Sequence, residues 1–183
     1  YTPVSGARLW AQVARTQWSD NNDYKTHFTV GADYLLNLTN AFYGYRRNRA
    51  FDFTAAAGVN VSKNGGSYVG VDASLRGTWH VSRLMGLFVE PRLLAYSDNY
   101  LPTSLSTTGV DLLANVNVGM QFNMDGFERS LAQHQVSDNG DWHRSSFTMA
   151  AGMTNRVGQL KEWKRYSPVA RLSYTQWFSP YMA

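Results

Sequence analysis

The feature that most constrains this chain is alternation of apolar and polar residues at every second position, sustained over segments on the order of a dozen residues. In 68–81 (YVGVDASLRGTWHV), one set is Val69, Val71, Ala73, Leu75, Gly77, Trp79 and Val81. The other is Tyr68, Gly70, Asp72, Ser74, Arg76, Thr78 and His80. A period of two sends successive side chains to opposite faces of a β-strand. The pattern recurs in 28–38, 51–61, 87–95, 110–122, 147–153 and 170–178. A further strand near 9–18 is the least regular, and its facing stays open. Strands in soluble proteins peak near roughly 5–6 residues, whereas a tilted strand crossing a bilayer needs about 9–11. Length therefore favours an all-β, antiparallel, up-and-down transmembrane barrel of eight or more strands.

Periodicity alone does not say which face points inward. A soluble calyx puts apolar residues inside, and a membrane barrel reverses this. Three features favour the reversal. The polar faces carry Gly31, Gly58, Gly70, Gly119 and Gly152. Glycine weakens an exposed strand, but in a crowded lumen it leaves room for a neighbour's long side chain. The charges on those faces have both signs: Asp33, Asp52, Asp72, Glu90 and Asp111 against Arg76, Arg92 and Arg171. Of the basic residues thirteen are arginine and four lysine, and the planar guanidinium suits carboxylates in confined space. Aromatics on the apolar faces, among them Phe28, Tyr34, Phe51, Trp79, Phe122 and Phe178, sit where interfacial girdles would require them.

At 183 residues the chain is long enough for one domain spanning 1–183. It has no cysteine, which excludes disulfides and cysteine metal sites. No apolar run reaches the roughly 18–20 residues of a membrane helix. The opening YTPVSGARLW has neither a basic nor an apolar leader region, so no signal peptide is read there. The ending SPYMA reads as the start of another strand. The only long irregular segment is 123–145, a candidate plug or excursion between strands. Pro91, in mid-strand, removes a ladder donor and predicts a bulge or a locally unpaired amide.

Two blocks carry a resemblance. Around 37–62 (NLTNAFYGYRRNRAFDFTAAAGVNVS), a strand ending Leu36-Asn37-Leu38 leads into a short Gly44-Tyr45-x-x-Asn48-Arg49 turn and a strand ending Ala57-Gly58-Val59. Within 78–96 the distinctive run is Val89-Glu90-Pro91-Arg92. Both resemble outer-membrane β-barrels of Bacteroidota, of the OmpA family. The resemblance implies an integral protein of the bacterial outer membrane, with the turns at 44–49 and 82–86 periplasmic. The loops at 19–25, 63–67, 98–109 and 157–166 would then face outward. No peptidoglycan-binding domain is read in these 183 residues, so the resemblance carries no expectation of an anchoring role.

The candidate site is a luminal charge network of Asp33, Asp72, Arg76, Glu90, Arg92, Asp111 and Arg171. It reads as a plug that holds a narrow barrel shut, or as the lining of a selective pore. Catalysis has little support. Ser74 and His80 share a face but lie six residues apart, near 20 Å along a strand, as do His27 and Asp33. Four scattered histidines give no metal-ligand spacing, and no cofactor is expected. Basic clusters at Arg46, Arg47, Arg49 and at Lys161, Lys164, Arg165 suit anionic head groups or solvated loops. The arginines form no single stripe, so nucleic acid is not an expected partner. The expected role is a non-enzymatic scaffold or accessory subunit of an outer-membrane complex. Its partners would be membrane lipid, lipopolysaccharide and other outer-membrane proteins. A passive porin-like channel for small solutes and a barrel enzyme such as a lipase or acyltransferase are the alternatives.

Overall fold

The computed structural model describes residues 4–17, 24–44, 49–63, 65–82, 84–97, 110–124, 145–157 and 166–178. They form eight strands: β1 (Ser5–Gln17), β2 (Tyr24–Asn37), β3 (Phe51–Lys63), β4 (Ser67–His80), β5 (Met85–Ser97), β6 (Val110–Asn123), β7 (Ser145–Arg156) and β8 (Ser167–Trp177). Each strand pairs antiparallel with the next, and β8 pairs with β1. The sheet is a closed barrel of eight. An open-ended count of eight or more narrows to eight, because joining β1 to β8 leaves no edge for a further strand.

The register fixes the tilt. From Ala14 the ladder runs through Val169, Gly152, Asn117 and Glu90. Across the gap at Pro91 the same register places Arg76 opposite Glu90, and the ladder resumes through Thr54 and Asn37. The Asn37 amide then donates to the carbonyl of Val4, not to a residue near Ala14. This stagger along β1 is the shear that closes eight tilted strands around an interior just wide enough for side chains.

Burial follows the alternation and answers the question of facing. On β4, Val69 and Val71 are 67% and 57% exposed, while Asp72 and Arg76 are buried. On β1, whose facing the pattern leaves open, Arg8, Trp10, Gln12 and Ala14 point in and Leu9 and Val13 point out. The inward face of β5 reads Phe88, Glu90, Arg92, Leu94 and Tyr96, all buried. Trp10, Leu94, Tyr96 and Leu113 form a small apolar cluster inside the barrel, with Tyr68 packed against it.

Two local features depart from the sequence reading or sharpen it. The stretch after β2 is not a plain turn: Leu38–Tyr43 form a short helix, α1. Asn37 caps it, its side chain accepting from the Asn40 amide at 2.9 Å. The helix ends at Gly44, whose positive φ of 65° suits glycine. At Pro91 there is no bulge. The β4–β5 pairing stops at Ser74↔Arg92 and resumes in the same register at Gly77↔Val89. The β5–β6 ladder runs unbroken through Pro91↔Val116. The missing proline N–H therefore interrupts one ladder without shifting it.

Candidate functional site

Seven inward side chains meet at mid-barrel. Glu90 is the hub. Its Oε2 accepts from Arg76 Nε at 2.6 Å and from Arg8 Nη1 at 3.0 Å, and its Oε1 from Arg171 Nη1 at 2.9 Å. Arg171 Nη2 lies 2.8 Å from Oε2, and Arg92 Nε 3.4 Å from Oε1. Asp33 forms a second focus. Its Oδ2 accepts from Arg8 Nε at 2.8 Å and Nη2 at 2.5 Å, and from Arg92 Nη2 at 2.6 Å. Its Oδ1 accepts from the Trp10 indole at 2.8 Å. Asp72 joins through Arg92 Nη1 at 3.3 Å and accepts from Asn60 Nδ2 at 3.0 Å.

The strands explain why these groups converge. Glu90 and Arg92 are successive inward positions of β5, and Arg76 faces Glu90 from β4. Arg8 of β1 lies opposite Asp33 in the register and also reaches Glu90, joining the two foci, and Arg171 reaches Glu90 from β8. The cluster lies between apolar surfaces: the Arg76 guanidinium sits 4.2 Å over the Phe88 ring, and that of Arg92 sits 4.2 Å over Trp10. Small residues make the room. A Cβ on Gly31 would fall 2.5 Å from the Trp10 ring, and one on Gly58 2.5 Å from Asp33 Oδ1.

Of the residues read from the sequence, Asp33, Asp72, Arg76, Glu90, Arg92 and Arg171 are in this cluster. Asp111 is equally buried but stands apart. It pairs in register with Tyr96, four residues along β6 from Asn115, the partner of Arg92. That is roughly 13 Å at the strand rise. Arg8 and Trp10 belong to the cluster as well, and the sequence pattern did not single them out. The aromatics fall as follows. Phe51 and Trp79 stack at 6.0 Å beside α1, both about half exposed. Phe178 follows β8 at the same end, its amide donating to the Ser5 carbonyl. Phe122 is half-buried between Met85 and Phe147. Phe28 lies at the opposite end, paired with Lys63. Tyr34 is exposed but set further into the wall, between Ala7 and Ala57.

A smaller polar group lies at the α1 end. His80 Nε2 lies 2.7 Å from Asp52 Oδ2, and Arg49 binds Asn40 Oδ1 at 3.1 Å and the Gly44 carbonyl at 2.8 Å. Ser74, which shares a strand face with His80, instead accepts from Arg8 at 3.2 Å. The clusters at Arg46 and Arg47 and at Lys161, Lys164 and Arg165 lie outside the described residues, as do His134, His143 and most of 123–145.

No protein-family model matches the chain, and no curated protein matches it. Among solved structures it is similar to one described as "De novo design of transmembrane beta-barrels", at 10% identity and a TM-score of 0.42, with 96% of this chain and 97% of that one covered.

Proposed function

We propose that this protein is an integral barrel of the bacterial outer membrane, acting as a scaffold or accessory subunit, with a lumen that does not conduct. One observation carries the reading: the barrel is built inside out for water. Charged side chains such as Glu90, Arg92 and Arg8 are at most 1% exposed, while Leu9, Val59 and Val69 are at least 60% exposed. Monomeric soluble proteins rarely expose an apolar surface that wraps the whole molecule. In a bilayer the same wall faces hydrocarbon, and closure satisfies every strand edge.

The choice of the outer membrane rests on the barrel architecture and on the resemblance carried by Leu36-Asn37-Leu38, Gly44–Arg49 and Val89-Glu90-Pro91-Arg92. Outward-facing Arg15 and Lys63 near Phe28 support contact with lipid phosphates at the end opposite α1. A non-catalytic role is favoured because His80 holds Asp52 and Ser74 is engaged by Arg8. The test is purification from native outer membranes in mild detergent, followed by native sizing and identification of what co-migrates. A stoichiometric assembly supports the subunit reading, and a lone barrel rejects it. Planar-bilayer recording then separates plug from pore: a silent barrel supports the closed lumen, and steady single-channel conductance overturns it.

A further inference from the structure

The hub carries more positive than negative charge. Its ion pairs join four arginines, Arg8, Arg76, Arg92 and Arg171, to three carboxylates, Asp33, Asp72 and Glu90. The other two carboxylates of the described strands are placed elsewhere. Asp52 is held by His80 and Arg49 at the α1 rim, and Asp111 lies beside Tyr96 toward the other end. Arginine does not shed its proton in proteins. A surplus guanidinium charge enclosed between Phe88 and Leu94 is costly unless something neutralises it.

The donors for a neutralising group stand around Glu90. Arg76 Nη2, Arg171 Nε and Asn117 Nδ2 are fully buried and hydrogen-bonded to no protein atom. Arg76 and Asn117 flank Glu90 on β4 and β6, and Arg171 reaches the same carboxylate from β8. Buried polar groups are overwhelmingly partnered, and here the orphans are guanidinium N–H donors of Arg76 and Arg171 together with both amide atoms of Asn117. We propose that these donors bind one small monovalent inorganic anion, of the halide class, held by Arg76, Arg171 and Asn117. The anion balances the hub and belongs to the folded barrel. Glu90 stands near it, but its two further guanidinium contacts, from Arg8 and Arg92, offset that repulsion.

The probe is bromide. The full chain is refolded into detergent with bromide as the only halide, so that the ion need not enter a closed barrel, and crystals are measured at the bromine absorption edge. The expected result is one anomalous peak within hydrogen-bonding reach of Arg76 and Arg171. Bromide at surface sites alone, an adventitious ion only, overturns the proposal, as does a peak at the hub without anomalous signal, which would be water. In solution the unfolding midpoint should be higher in bromide than in gluconate at equal ionic strength, by about 2–4 °C. Equal midpoints overturn it. Arg76→Met leaves three arginines facing three carboxylates and should abolish that difference. If the difference persists in a folded variant, the anion is not bound here. If the variant does not fold, the wild-type diffraction result decides.

Discussion

Glu90 accepts from Arg76, Arg8 and Arg171, so its loss leaves three guanidinium groups facing one another in a dry interior. Breaking a buried pair from one side costs about 3–5 kcal/mol, because the other charge is left uncompensated. Glu90→Ala should therefore destabilise the barrel by that amount in equilibrium denaturant unfolding in micelles, and a loss below about 1 kcal/mol would contradict the hub assignment. Gly31 tests the packing beneath it. Replacing glycine by alanine in a strand normally gains about 0.5–1 kcal/mol. Here the new methyl meets the Trp10 ring that donates to Asp33, so Gly31→Ala should lose about 1–3 kcal/mol and shift Trp10 fluorescence. A stabilised variant would show that Trp10 moves freely. Six of the seven clustered charges could be read from alternation, because each stands between apolar neighbours of a regular strand. Arg8 could not. Its strand carries Ala7, Ala11 and Ala14 on both faces and puts Trp10 inside, so the contrast that reveals facing is missing.

At the scale of elements, Pro91 faces outward between the two inward charges of β5 and leaves the β4 ladder open at one point. What the ladder lacks there is a donor, so in Pro91→Ala the new amide should be protected from solvent deuterium like its neighbours on β5. Rapid exchange at that amide would mean that the gap has another cause than the missing donor. The strand pattern was legible because side chains at lipid-like and luminal positions differ so sharply. Strand ends were less so: β2 starts at Tyr24 and β7 at Ser145, each before the apolar alternation begins. Near the rims the backbone ladder continues although both faces turn polar, and side-chain pattern no longer reports it. The helix α1 had its signal in Asn37, a capping residue, but Leu38 also continues the apolar beat of β2 and conceals the change of element.

For the whole molecule, closure is the property that sequence pattern left open. Alternation gives the number of strands but not whether the last returns to the first; the stagger that brings Asn37 to Val4 is a property of the assembled register. Closure also makes the inside-out distribution complete, with polar atoms enclosed and apolar side chains on every strand facing outward. The central claim is that this wall lies in a bilayer, and an arginine scan along the outward positions of β3 tests it most directly. Each of Phe53, Ala55, Ala57, Val59 and Val61 is replaced by arginine in turn, and folding free energy is measured in lipid vesicles. The account predicts a peaked profile, with losses of about 2–4 kcal/mol in the middle of the strand falling to about 0–1 kcal/mol toward Phe51 and Lys63. A flat profile within about 0.5 kcal/mol, as expected for substitutions on a solvated surface, would contradict it.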